Sequence, residues 1–354
     1  MKRLRIARRK SLPNAHSWGI RIAAFAAALL LGSGIILLLG HNPVAVYREI
    51  INSVFGGRIG FNAAARSFVA LLGASLAVGM AFKMRFWNIG AEGQILIGGI
   101  AAAYFALFMY ESMPRPLLLM VMGLAAATAG GLWGLIPAVF RARWNTNETL
   151  FTLMLNYVAL GLVMYLQSGP WQSPLLLGYP RMNSFPVAAR LPQVGGIHIG
   201  WIMVFVLVGV VHFYLAKSKQ GYQLAVVGES ENTARYAGMN VKKIIMRTMI
   251  LSGAIAGLTG FWIVSGADFV LSETTAGGVG FTAIIVAWLA RLKPLFMIPV
   301  AALIAILERG SGRIHTVFGI PATISDVLIG IILFAMLASE FFIQYRIVTK
   351  KGDA

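Results

Sequence analysis

Ten apolar runs, most of them about 20 residues long and almost free of charge, limit what this chain can become. They lie at about 20–40, 62–82, 87–109, 116–139, 147–167, 198–216, 245–265, 276–291, 295–309 and 322–344. A run of this length matches one helix through the hydrocarbon of a bilayer, where each backbone group must find its partner inside the segment. Charged residues make up only 12% of the 354 and hydrophobic ones 58%, whereas a soluble domain is about a quarter charged. The 39 glycines suit close helix approach in lipid. The expected fold is an all-α membrane protein of about ten transmembrane helices.

The net charge of +18 follows the spans. With the N-terminus inside, 22 of the 30 Lys and Arg fall on one face: those of residues 1–21, then Lys83, Arg85, Arg141, Arg143, Lys217 to Arg247, Arg291, Lys293, Arg346, Lys350 and Lys351. Eight fall on the other: Arg48, Arg58, Arg66, Arg115, Arg181, Arg190, Arg309 and Arg313. That asymmetry puts both termini in the cytoplasm, and an odd number of spans would scramble it. Cations arranged this way meet membrane lipids, and no nucleic-acid partner is expected. Met1 to Lys10 resembles the basic start of a signal segment, but the run from Ile22 to Gly40 is too long to be a cleaved one. The expected organisation is a basic cytoplasmic N-terminus at 1–19, a transmembrane domain at 20–346 and a cytoplasmic tail at 347–354. Residues 168–197 form an outer loop, where Trp171, Pro174, Tyr179, Pro180 and Pro192 suggest a structured cap. Cysteine is absent, so no disulfide framework is possible.

The two halves resemble each other. Arg115-Pro116-Leu117 opens the fourth span and Lys293-Pro294-Leu295 the ninth. Gly90-Ala91-Glu92-Gly93-Gln94 before the one matches Gly278-Val279-Gly280-Phe281-Thr282 before the other. Arg115 falls outside and Lys293 inside, so the expectation is a five-plus-five repeat of inverted topology. Such repeats are typical of transporters, with the path at the interface of the halves.

Polar residues inside the spans are the candidates for that path. Asn88, Glu92 and Gln94 lie within seven residues of the third span, where a central charge costs roughly 2.5–3.5 kcal/mol. Asn88 and Glu92 are four apart and would share a helix face. They either line a polar path or sit at the inner interface, with Glu92 paired to Lys83 or Arg85. Asn156 lies mid-span and serves either a passing substrate or a neighbouring helix. Phe281 and Thr282 follow an outward-facing segment rich in Gly and hydroxyls that carries Asp268 and Glu273, and the aromatics Trp262, Phe281 and Trp288 could stack a planar ligand or simply pack between helices.

The remaining feature is the polar island at 217–243, placed inside by its cations. No phosphate-binding Gly-x-x-x-x-Gly-Lys-Ser/Thr loop occurs in the chain, nor a His-Glu-x-x-His or Gly-x-Ser-x-Gly sequence, and the five histidines show no ligand spacing. No catalytic residue, metal site or cofactor is expected.

Three motifs carry a resemblance over roughly residues 20–345. Phe86-Trp87-Asn88-Ile89-Gly90-Ala91-Glu92-Gly93-Gln94 is one, with Trp87 as an extra aromatic. Gly228-Glu229-Ser230-Glu231-Asn232-Thr233-Ala234-Arg235-Tyr236-Ala237-Gly238-Met239-Asn240-Val241 is the second, and Gly280-Phe281-Thr282 the third. They resemble permease subunits of bacterial ATP-binding-cassette importers of the simple-sugar, nucleoside and branched-chain amino-acid group. The first motif looks most like the nucleoside-type branch. The resemblance implies a non-enzymatic inner-membrane subunit that partners a separate ATPase, a second permease (homo- or heterodimeric) and an extracytoplasmic substrate-binding lipoprotein. It also implies that Gly228, Glu229, Ala234, Arg235, Tyr236 and Gly238 belong to a coupling helix docking on the ATPase. Ser230-Glu231 replaces the family's Asn-Pro, and Ser230 can still cap a helix. A sugar or amino-acid importer, or an ion-coupled secondary transporter using Glu92, are the alternatives.

Overall fold

The structure, a computed structural model, describes residues 3–8, 14–174 and 180–350. In chain order its helices are α1 (Asn14–Leu38), α2 (Pro43–Phe55), α3 (Arg58–Lys83), α4 (Ala91–Phe108), α5 (Arg115–Trp144), α6 (Glu148–Ser168) and α7 (Gly200–Lys217). Then come α8 (Lys219–Glu229), α9 (Glu231–Tyr236), α10 (Val241–Trp262), α11 (Val279–Leu289), α12 (Pro294–Phe318) and α13 (Ala322–Gln344). Among the described residues, nine helices are long and apolar enough to cross a bilayer. Every predicted span has its helix, with one difference in kind. The span expected at 276–291 is α11, only 11 residues, or about 16 Å. That is half of a hydrocarbon core of about 30 Å. The expected run also took in Ala276 to Gly278, which precede the helix, and Ala290 and Arg291, which follow it.

Two compact units divide the chain: Met1–Phe61 with Ile306–Ala354, and Asn62–Ala305. In the first unit a strand β1 (Arg3–Arg8) pairs antiparallel with a second strand (Tyr345–Lys350), so both termini share a face. Residues 351–354 of the expected tail lie outside the described residues, as does Tyr179 of the outer loop. α1 packs along α13, and Arg21 meets Glu340 at 2.7 Å. α2 was not foreseen. Asn42 caps it, its side chain accepting from the Val44 N–H, and Pro43 starts it. Tyr47 donates its hydroxyl to the Leu29 carbonyl at 2.7 Å, and Arg313 pairs with Glu49 at 2.7 Å.

The second unit is built on α4, α5 and α10, held together by glycines. A β-carbon on Gly253 would strike the Gly130 carbonyl, one on Gly257 the Ala126 carbonyl and one on Gly260 the Ile95 carbonyl. Gly253 and Gly257 stand four apart, as do Gly130 and Gly134, so small faces meet. Dispersion between closely approaching backbones replaces the hydrophobic drive that lipid removes. Arg115 hydrogen-bonds the Arg190 carbonyl at 3.1 Å, and Arg141 reaches Glu231 at 3.5 Å. Each of these contacts, with the Arg313–Glu49 pair and the terminal strands, joins segments that the charge count puts on one face.

The glycine seam is testable by one methyl group. Gly257→Ala is expected to lower stability by about 1–3 kcal/mol, because rigid backbone lies where the methyl would go. Gly209→Ala on α7, with nothing within 4 Å, is expected to be neutral. Thermal unfolding of the purified protein in detergent compares them.

Candidate functional site

Residues 84–90 leave α3 and run back into the protein without helical form before α4 starts at Ala91. Asn88 makes this turn. Its side-chain oxygen accepts from the Gly90 N–H at 3.1 Å and from Gln94 Nε2 at 3.2 Å, and its nitrogen donates to Gln94 Oε1 at 3.2 Å. Ser252 of α10 lies within 3.3 Å of the same nitrogen. Asn156 of α6 accepts from the Gly93 N–H at 2.9 Å and donates to the Ile89 carbonyl at 2.9 Å. Thr152 accepts from the Ile89 N–H at 3.2 Å. Asn88, Gln94 and Asn156 are buried. They satisfy backbone and one another at membrane depth, where an unpaired polar group costs several kcal/mol. Asn88 therefore does not share a helix face with Glu92. It lies before the helix, and its Asx-type bond to Gly90 ends the possibility of helix there.

Glu92 looks the other way. One carboxylate oxygen accepts from the Gly278 N–H and the other from the Gly280 N–H, each at 2.7 Å. These are the first amides of α11, so Glu92 caps the matching helix of the other half. Its partners are backbone amides rather than Lys83 or Arg85. The carboxylate also faces the positive end of the α11 dipole. Gly280 must be glycine, because a β-carbon there would press on Glu92 itself. Gly278, at φ 83°, makes the left-handed entry to α11. The matching halves therefore meet at the N-termini of two helices, each preceded by a non-helical stretch. Phe281 and Trp288, seven residues apart on α11, expose 43% and 42% of their surface, and Thr282 is half-buried. Two apolar hollows, along α6 from Thr146 to Val158 and between α7 and α10, contain none of these residues.

The polar island folds as α8 and α9. Ser218 caps α8 through the Gly221 N–H, Ser230 caps α9 through the Thr233 N–H at 3.2 Å, and Asn240 caps α10 through the Lys243 N–H. Gly228 lies against the Lys83 carbonyl at the end of α3, with no room for a side chain. Ala234 is buried, and Gly238, at φ 74°, closes α9 with its N–H on the Arg235 carbonyl. Arg141 ties the island to the α5–α6 turn through Glu231 and Glu148, both at 3.5 Å, and Arg235 meets Glu231 at 3.6 Å. Glu229 and Arg235 remain exposed, and Tyr236 is 94% exposed. An aromatic side chain held out on a pinned helix is a ready contact for another protein.

Residues 60–337 match the model of the branched-chain amino acid transport system permease component. The chain belongs to this family. A glucose ABC transporter permease of Haloferax volcanii is 30% identical over 97% of this chain and 93% of its own length. A guanosine ABC transporter permease of Bacillus subtilis is 30% identical over 94% of this chain and 97% of its own. A nucleoside ABC transporter permease of Lactococcus lactis subsp. cremoris is 26% identical over 94% of each. The permease is thus a multi-pass subunit of the inner membrane. Sequence reading alone did not find Gly278 and Gly280 as the partners of Glu92, or Arg141 as the anchor of α9. The only signals were a lone acid among apolar residues and an unmatched charge at a span end.

On the outer side of the permease, α10 widens into a π turn at Ile263–Asp268. The cap docks there: the Leu191 N–H bonds the Ser265 carbonyl at 2.8 Å and the Phe185 N–H the Phe269 carbonyl at 2.7 Å. His198 is buried against Gly200 and Gly266. Burial first, and the Arg66 guanidinium second, push its imidazole down to about 4. The folded protein therefore holds His198 neutral. The associated stability is complete above the unfolded value of about 6.5 and is lost as pH falls from there toward 4. His198→Gln is expected to flatten the fall in melting temperature over that window.

The capping contact makes a second prediction. Glu92→Ala leaves two α11 amides without an acceptor and is expected to cost about 2–3 kcal/mol, with Glu92→Gln, which keeps one oxygen, near half of that. Thermal midpoints in detergent check the order; equal midpoints for all three proteins would contradict it.

Proposed function

We propose that this permease forms the membrane path of an ATP-driven importer of nucleosides. In this reading it works with a separate ATPase, a second permease and an extracytoplasmic binding lipoprotein. The observation that carries the reading is the pinned, exposed α9. Arg235, paired with Glu231 but exposed, and Tyr236 project from a helix that is anchored through Ala234 and Glu231, at the seam between the halves. The ATPase grips α9, and movement there passes directly into α10, since only residues 237–240 separate the two helices. α10 leads in turn to the stretch 269–278 and the Glu92 junction. Asn88, Gln94 and Asn156 hold the turn that shapes the path, and Glu92, Phe281 and Thr282 border it.

The nucleoside assignment draws on the Asn88-to-Gln94 motif and on the guanosine and nucleoside permeases among the relatives. A sugar is the second reading, because the glucose permease is 30% identical as well. Ion coupling through Glu92 is disfavoured, since both of its oxygens are committed to α11.

Arg235→Ala with Tyr236→Ala is expected to reduce receptor-stimulated ATP hydrolysis by the assembled transporter at least ~10-fold with an unchanged melting temperature, as loss of interface anchors does. Normal transport by that variant would remove the coupling role. Uptake of guanosine against glucose by proteoliposomes containing the full complex separates the substrate readings, and uptake by this chain alone along an ion gradient would overturn both.

A further inference from the structure

We propose that Trp87 and Trp288 form a stacking platform for the planar ring of the transported solute, near the inner mouth of the path. The inference rests on the nucleoside reading above. Both indoles are nearly half exposed, at 44% and 42%, yet they are stacked on one another with centroids 5.7 Å apart and planes 24° from parallel. Phe82, itself buried, meets both edge-on, at 5.2 Å and 6.2 Å. The pair is thus fixed from behind by a third ring, and its remaining surface is open. Edge-to-face and offset contacts of this kind hold rings in a set orientation.

Two observations argue that the open surface does not face acyl chains. Trp87 belongs to the non-helical turn 84–90, and α11, which carries Trp288, follows the non-helical stretch 269–278. Arg85 and Arg291, which the charge count puts on the cytoplasmic face, lie two and three residues from the indoles, so both stand where the path meets water. The Glu92 carboxylate, half-buried at the start of α11, would be costly against lipid. Trp288 lies eight residues beyond Gly280, about 12 Å along α11, on the side leading to Arg291 and Lys293 and so to the cytoplasm. A solute that passes the Glu92 junction therefore meets the indoles before it leaves.

Stacking is the recognition that suits this place. Every nucleobase offers a flat face, so an aromatic platform holds any of them without reading its edge. Choice among bases is left to other components, while flatness is tested inside. Glucose has no π-face; only its C–H face can pack on an indole, and it gains less from the pair than a base does.

The test uses proteoliposomes carrying the complete transporter, with labelled guanosine and labelled glucose as probes. Trp288→Leu and Trp87→Leu are expected to lower guanosine uptake about tenfold, the size of one lost base–aromatic stack, while receptor-stimulated ATP hydrolysis stays at the wild-type rate. Trp288→Phe and Trp87→Phe, which keep a flat ring, are expected to restore most of the uptake. Guanosine uptake unchanged in the Leu variants, or lost equally in the Phe variants, overturns the platform while leaving the nucleoside reading intact. Wild-type uptake of glucose without guanosine overturns both. Should the Leu variants fail to assemble, photolabelling of the wild-type complex with 8-azidoguanosine decides. Label on the peptides holding Trp87 and Trp288 supports the platform, and label only elsewhere overturns it.

Discussion

The Glu92 carboxylate on the first amides of α11 is the contact on which the arrangement turns. Lipid supplies no hydrogen bonds, so a helix that starts at membrane depth exposes N–H groups that something must accept. In this permease the acceptor comes from the corresponding helix of the other half, 188 residues away from Gly280 in sequence. The same demand explains why Asn88, Gln94, Asn156 and Thr152 cluster round the turn 84–90. Each provides a donor or acceptor that the broken α3–α4 connection would otherwise lack. Polar side chains that look like a lined channel in the sequence are here largely the means by which irregular backbone survives.

Around that junction the second unit is made rigid in one place and left open in another. Glycines press α10 onto α5 and α4 so closely that a methyl group would strike backbone. A rod packed in this way transmits displacement instead of absorbing it. Its inner end follows directly from the exposed α9, and its outer end holds the cap through the Ser265 and Phe269 carbonyls. One element therefore follows α9, holds the outer cover and leads to the entry of α11. The proposed coupling to a separate ATPase would use that continuity.

Hydropathy made most of the helices legible, because a run of about 20 uncharged residues has few other uses. Lys and Arg fixed the faces, and the structural contacts agree with them. The repeat was visible in Gly90 and Gly278, which do precede the two matching helices, and in Pro116 and Pro294, which start the next ones. Ser230 was legible as a cap for the chemical reason that its hydroxyl reaches a free N–H. Other features were hidden. α2 is short and mixes Arg48, Glu49 and Asn52 with its apolar residues, so no membrane-length signal marks it. The alternation Arg3-Leu4-Arg5-Ile6 is a strand period concealed in a basic flank. The shortness of α11 was concealed because Ala276, Gly277 and Gly278 extend the uncharged run upstream without helix. The partner of Glu92 was beyond reach, since nothing local tells a carboxylate that its acceptor role is filled from another span.

The exposed face of α11, rather than any buried polar residue, is the surface expected to meet solute. The absence of cysteine from the chain makes this directly measurable. Phe281, Thr282 and Ile285 can be changed to Cys one at a time in the assembled transporter and offered a charged, membrane-impermeant thiol reagent. Reaction at these positions, with rates that change when ATP and the receptor are added, is the expected result. Reaction only with a lipid-soluble maleimide, indifferent to ATP, would mean that α11 faces acyl chains and would contradict the path described here.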